Sequence, residues 1–154
     1  MIFTLFRKII FSLILVAIGV AGGAYLFSGT QSREFLKIKD CSENCFETKE
    51  LLGLLTSIGL NKFPDWGPEK IAETDKTVAI KHPTSKLKNH YVLIPKKDIK
   101  NIADISEADK PYILDALDVI QKIIKEKNLT KYQVVTNGPG YQDVTYLHFH
   151  LVSD

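Results

Sequence analysis

An α+β domain behind a single membrane-length helix is the architecture that this 154-residue sequence predicts, on three observations. A 19-residue run from Ile9 to Phe27 (IIFSLILVAIGVAGGAYLF) has Ser12 as its only strongly polar member. Short strand-like runs then recur at Lys70 to Thr74, Lys76 to His82, His90 to Pro95, Lys131 to Thr136 and Asp143 to Val152, each bounded by turn residues. Between the third and fourth of these lies one long stretch with apolar residues at three- and four-residue steps. An antiparallel sheet interrupted by one long helix follows from that order.

Residues 1–8 form a short basic tail carrying Arg7 and Lys8. At about 1.5 Å per residue, a helix over residues 9–27 spans roughly 28 Å, the thickness of a bilayer core. It reads as a single-pass anchor or as a signal sequence, with Ala21, Gly22, Gly23 and Ala24 as the small-residue cleavage site in the second case. Arg7 and Lys8 favour a cytoplasmic amino terminus and an extracytoplasmic domain. Arg33, Lys37 and Lys39 on the other side reduce that bias and keep the cytoplasmic face as the alternative.

Of the 20 Lys and Arg residues only Arg7 and Lys8 precede Ser28, so the remaining chain carries 18 charges of each sign and no net charge. A neutral domain without an Arg-rich stripe lacks the electrostatic footprint for a nucleic acid polymer. Residues 28–40, rich in turn residues and mixed charges, read as a juxtamembrane linker, and residues 41–154 as the folded domain.

Leu51, Leu52, Leu54, Leu55 and Ile58 predict a helix from Glu43 to Ile58, ended by Gly59 and then Pro64, before a loop containing Trp66 and Gly67. The strands at 70–74 and 76–82 make a hairpin, and residues 83–89 connect it to HYVLIP. Ser106 with Asp109 three residues on, and then Pro111, announce the long helix carrying Ile113, Leu114, Leu117, Ile120, Ile123 and Ile124. Cys41 and Cys45 would share one face if helical. A disulfide suits an exported domain and a zinc pair a cytoplasmic one, and both stay open.

Strand alternation in YLHFHLV sends Tyr146, His148 and His150 to one face and Leu147, Phe149 and Leu151 to the other. The two imidazoles then stand about 7 Å apart by strand rise. Histidines bonded at a sheet surface and a His-x-His metal site both fit that spacing.

HYVLIPKKDI (His90 to Ile99), the long helix after it and TNGPGYQDVTYLHFHLV (Thr136 to Val152) occur together in an order and spacing that resemble the histidine triad (HIT) family of nucleotide hydrolases and transferases, over about Ile71 to Asp154. The family motif alternates three histidines with apolar residues, and here Tyr146 replaces the first. The resemblance implies a HIT-like antiparallel sheet with one long helix and an N-terminal helix. It implies His148 as the nucleophile that attacks the α-phosphorus, forming a nucleotidyl-histidine, with a backbone carbonyl holding its tautomer. It implies phosphate contacts for His150 and Gln142 and, in the loop, for Asn137, Gly138 and Gly140, where Gly allows close backbone approach. Asp143 stands where many members carry serine, and His82 where many carry the acid or amide that binds ribose hydroxyls, which makes both, with Tyr146, substrate-facing positions. His90 reads as a structural or supporting residue.

The resemblance further implies a nucleotide or nucleotide-linked small molecule as partner, a homodimer formed through the helix and an edge strand, and no required cofactor, with no metal at the histidines and a structural zinc at the cysteine pair as the remaining option. The implied activity is a membrane-tethered phosphohydrolase or nucleotidyl transferase acting on a phosphoester, phosphoramidate or phosphoanhydride. Two alternatives accompany it: a lipid-nucleotide pyrophosphatase, in outline similar to the membrane-bound CDP-diacylglycerol enzymes, and a degenerate nucleotide-binding module.

Overall fold

The computed structural model describes residues 2–36, 45–65 and 67–154; Lys37, Lys39, Cys41 and Trp66 lie outside them. Helix α1 (Ile2–Phe27) contains one stretch, Leu5–Phe27, long and apolar enough to cross a membrane, with none of it buried against the domain. The apolar stretch begins before residue 9 because the helix runs without a break through Arg7 and Lys8. The segment after it packs onto the domain. Gln31 N–H donates to Asp98 Oδ2 at 2.8 Å and its side-chain amide to the Asp98 carbonyl at 2.8 Å. The buried Arg33 guanidinium pairs with the buried Asp98 carboxylate, donates to the Thr145 carbonyl and stands 3.7 Å from Glu50.

Helix α2 is Thr48–Lys62, four residues beyond the expected end at Ile58. Gly59 does not stop it, since an interior glycine costs only about 1 kcal/mol. The stop comes at Phe63, whose φ of −132° and ψ of 59° are non-helical, as the residue before a proline requires. The start at Thr48 also leaves Cys45 outside the helix, so the expectation of two cysteines on one helical face is not met there. Cys45 is disulfide-bonded and lies beside a bridge between Leu36 and Phe46.

Five strands form one antiparallel sheet: β1 (Lys70–Glu73), β2 (Thr77–Lys81), β3 (Asn89–Pro95), β4 (Tyr132–Val135) and β5 (Phe149–Ser153), in the order β1-β2-β3-β5-β4. Two short 3-10 turns lead from β3 into helix α3 (Lys110–Glu126). Ser106 and Asp109 make the expected cap, with Ser106 N–H and Oγ both donating to Asp109 Oδ2 at 2.8 and 2.6 Å.

The core lies between α3 and one face of the sheet. Ala116, Val119, Ile120 and Ile123 pack with Ala79, Tyr91, Leu93, Phe149 and Leu151. Because successive strand residues alternate, His90, Val92, Ile94 and His150 fall on the opposite face. Helix α2 borders that second face, where Gly59 and Leu60 share a cavity with Val78, Ile80 and Ile94. Gly53 permits the close approach of α2 to the chain before β5, for a Cβ there would collide with the Thr145 carbonyl and Arg33.

The strand expected over Asp143 to Val152 forms only from Phe149. Before that point the backbone bonds elsewhere. Thr145 N–H donates to the Lys49 carbonyl of α2 at 3.1 Å and Leu147 N–H to the Ile99 carbonyl at 2.6 Å. Those donors are lost to any ladder, so the chain bends away from the sheet until Phe149.

Candidate functional site

Histidines from three parts of the chain meet on the sheet face opposite α3. His150 sits on β5 across from Val92, and His90 lies one step along β3. His82 follows β2 and its N–H donates to the His90 carbonyl at 2.8 Å. His90 Nε2 and His150 Nδ1 are 2.9 Å apart and share a hydrogen bond. The His82 and His90 rings stack at 4.2 Å, and the His148 ring meets that of His150 edge-on at 4.9 Å.

His148 is oriented by the backbone. Its Nδ1 lies 2.7 Å from the Tyr146 carbonyl. A carbonyl only accepts, so Nδ1 carries the proton and, in the neutral ring, Nε2 holds the lone pair. The His148 carbonyl accepts from Thr136 Oγ1 at 2.9 Å, which ties the residue to the end of β4. His148 faces a cavity of about 130 Å³ shared with Thr56, Val92, Ile94, Val144 and Tyr146.

Burial, with the neighbouring His148, His90 and His82 adding to it, pushes His150 down to about 4. Burial and then His82 lower His90 in the same direction. Crowded, half-buried imidazoles disfavour one another's protonated forms, so His90 and His150 are neutral near pH 7.

Tyr146 stays on the histidine side, as strand alternation predicts: it shares a cavity with Val92, Ile94 and His148, while Leu147, Phe149 and Leu151 pack in the core under α3. It precedes the first residue of β5, its side chain is buried, and its hydroxyl donates to the Pro95 carbonyl at 2.9 Å. Burial first, and then the charge of Asp98, push the phenol up from its ordinary value. It gives the site part of the cavity wall and the carbonyl that holds His148.

The other expected residues are distributed more widely. Gln142 is buried, its amide donates to the Lys100 carbonyl at 3.0 Å, and with Asp143 it lines a separate cavity beside Phe46 and Lys49. Asn137 and Gly138 are half-buried in the loop after β4, and Gly140 is exposed. Neither Gly138 nor Gly140 has a positive φ, and nothing lies within 4 Å of a Cβ built on either, so the approach to the loop is open.

His90 emerges as a member of the site proper. Its position two residues before Val92 on an alternating strand was the available signal, but only the pairing of β3 with β5 brings it to His150. Arg33 and Asp98 carried no such signal, being an isolated charge in a polar segment and one residue of a longer motif.

Comparison with known proteins agrees with this fold. A family model described as "Scavenger mRNA decapping enzyme C-term binding" matches residues 63–154, more than half of the chain. A HIT-like protein of Chlamydia pneumoniae is 32% identical over 87 residues, covering 54% of this chain and 79% of that one. A HIT family hydrolase from Clostridium thermocellum shares the fold at a TM-score of 0.58 and 22% identity, over 65% of this chain and 89% of that one. A histidine triad protein from Clostridium difficile superposes with a TM-score of 0.54 at 27% identity, over 59% of this chain and 83% of that one. With its α+β sheet and its paired histidines at the start of the last strand, the chain belongs to the histidine triad family.

Proposed function

We propose that this histidine triad protein is a membrane-tethered nucleotide phosphohydrolase or nucleotidyl transferase in which His148 is the nucleophile. The observation that carries the reading is the 2.7 Å bond from His148 Nδ1 to the Tyr146 carbonyl, which leaves the Nε2 lone pair for attack. Attack on the α-phosphorus forms an N–P bond and breaks the bond to the leaving group, and water then cleaves the nucleotidyl-histidine. His150, neutral and beside His148, offers a ring nitrogen to the phosphate or the bridging atom. The open loop at Asn137, Gly138 and Gly140 supplies backbone amides to phosphate oxygens, while Gln142 and Asp143 line the separate cavity beside α2. Helix α1 serves as the anchor, and the ammonium of Lys62 joins α2 to its end by donating to Ser28 Oγ at 2.7 Å and lying 4.5 Å from the Tyr25 ring centre.

The test is release of nucleoside monophosphate from dinucleoside polyphosphates, adenylyl phosphoramidates and CDP-linked lipids in bilayers. His148→Ala is expected to lower turnover by roughly 10³-fold or more. Equal rates in variant and parent would remove the mechanism. Preference for the CDP-linked lipid would select the pyrophosphatase reading, which the tether favours, and binding without turnover would select the degenerate module.

A further inference from the structure

The carbonyl that orients His148 sits on backbone that no ladder holds, because β5 begins only at Phe149. Two peptide planes flank the Tyr146 Cα. The second contains the Tyr146 carbonyl, and its Leu147 N–H is tied to the Ile99 carbonyl at 2.6 Å. The first contains the Thr145 carbonyl and the Tyr146 N–H, and that N–H reaches only back to the Val144 carbonyl at 2.8 Å. What ties the first plane to the rest of the protein is the bond from the Arg33 guanidinium to the Thr145 carbonyl. A charge-assisted bond of this kind is about twice as strong as a neutral one. The guanidinium is aimed as well as charged, since Nη2 pairs with the Asp98 carboxylate while Nη1 donates to Thr145. The contact is sealed from water: the Arg33 side chain is 1% exposed, and a Cβ on Gly53 would collide with both the guanidinium and the carbonyl.

We infer that Arg33 is a positioning residue for His148. It fixes the Thr145–Tyr146 peptide, and through that peptide the carbonyl that keeps Nδ1 protonated and the Nε2 lone pair free. Without the bond the first plane rocks about the Tyr146 Cα, the Tyr146 carbonyl leaves the line of Nδ1, and the ring is released to exchange its tautomers. Arg33 lies between α1 and α2, before residues 63–154, so this hold comes from the segment that joins the domain to its apolar helix. The inference rests on the reading of His148 as the reactive imidazole.

The experiment uses the full chain in detergent micelles without reductant, so that Cys45 stays in its disulfide, with the histidine rings labelled with nitrogen-15. The readout is the pair of ring-nitrogen shifts of His148 at mildly alkaline pH, where imidazoles are neutral, assigned by their loss in His148→Ala. The parent is expected to show a protonated Nδ1 and a bare Nε2. Arg33→Lys keeps a cation beside Asp98, but one ammonium cannot reproduce the two bonds of the fork. Arg33→Met with Asp98→Leu removes the bond and leaves neither charge of the pair buried. Both are expected to stay folded by circular dichroism and to move His148 to a mixture of tautomers. On the nucleotide substrate that the parent turns over, kcat is expected to fall about 10²-fold with KM little changed. Gln31→Ala removes a bond from the same segment to the Asp98 carbonyl and leaves Thr145 untouched, so both readouts are expected to stay at parent values. A parent-like tautomer in both Arg33 variants, an equal change in Gln31→Ala, or loss of folding in both Arg33 variants would each overturn the inference. The tautomer readout needs no turnover, so an inactive parent whose His148 still follows Arg33 would remove the catalytic reading and leave the positioning role standing.

Discussion

Arg33 holds more of the structure together than any other charged side chain described. Its guanidinium is buried against Asp98, the Thr145 carbonyl and Glu50, so one residue joins the segment after α1 to α2, to the loop after β3 and to the chain entering β5. The same chain segment carries Tyr146, whose carbonyl orients His148. Replacing Arg33 by Met leaves the buried Asp98 carboxylate without its counter-ion, and removing one member of such a pair costs about 3–5 kcal/mol. Arg33→Met is therefore expected to lower the unfolding free energy by about that amount in denaturant titration. Arg33→Met with Asp98→Leu should recover most of the loss, because no charge then remains buried. A double variant as unstable as the single one would show that the pair acts by position rather than by charge.

Among the elements, α3 depends on its first turn. Asp109 is buried and accepts from Ser106 N–H and Oγ, while Lys97 Nζ pairs with its other oxygen at 2.6 Å. Burial opposes the charged form, but the bonds from Lys97 and Ser106 outweigh it and hold the carboxyl at about 2, below the ordinary 3.8. A depressed carboxylate stabilises the fold at pH values above 3.8 and loses that contribution as pH falls toward 2. Melting temperatures of the parent and Lys97→Ala are thus expected to differ most above pH 4 and to converge toward pH 2. A difference that stays constant across that range would assign the effect to packing of the lysine stem.

At the scale of the whole molecule, β4 is one of the two edges of the sheet. It closes the sheet beside β5, and all four of its residues, Tyr132 to Val135, are exposed. Leu114 and Leu117 on α3 are exposed as well. An edge strand with apolar side chains and free backbone groups is a template for pairing. The homodimer expected by resemblance would use this surface, β4 with α3. Val134→Lys is expected to convert a dimer to a monomer by light scattering in detergent, with the domain still folded by circular dichroism. A parent protein that is monomeric at micromolar concentration would rule the pairing out.

What the sequence alone determined is what local periodicity encodes: the α+β class, the hairpin of β1 and β2, the capped helix α3, the apolar stretch of α1 and the alternation that separates His150 from Phe149 and Leu151. Each depends on residues within one or two turns or strand steps, where backbone geometry leaves few choices. Only the tertiary structure decided where the last strand begins to pair. The ladder starts only at Phe149 because Thr145 and Leu147 bond to Lys49 and Ile99, partners that no local pattern names. The buried pair of Arg33 and Asp98, 65 residues apart, and the meeting of His90 with His150, 60 apart, arise in the same way. Burial rewards polar groups for finding partners wherever the chain brings them, and the order of strands in the sheet, not the order of residues in the chain, sets who those partners are.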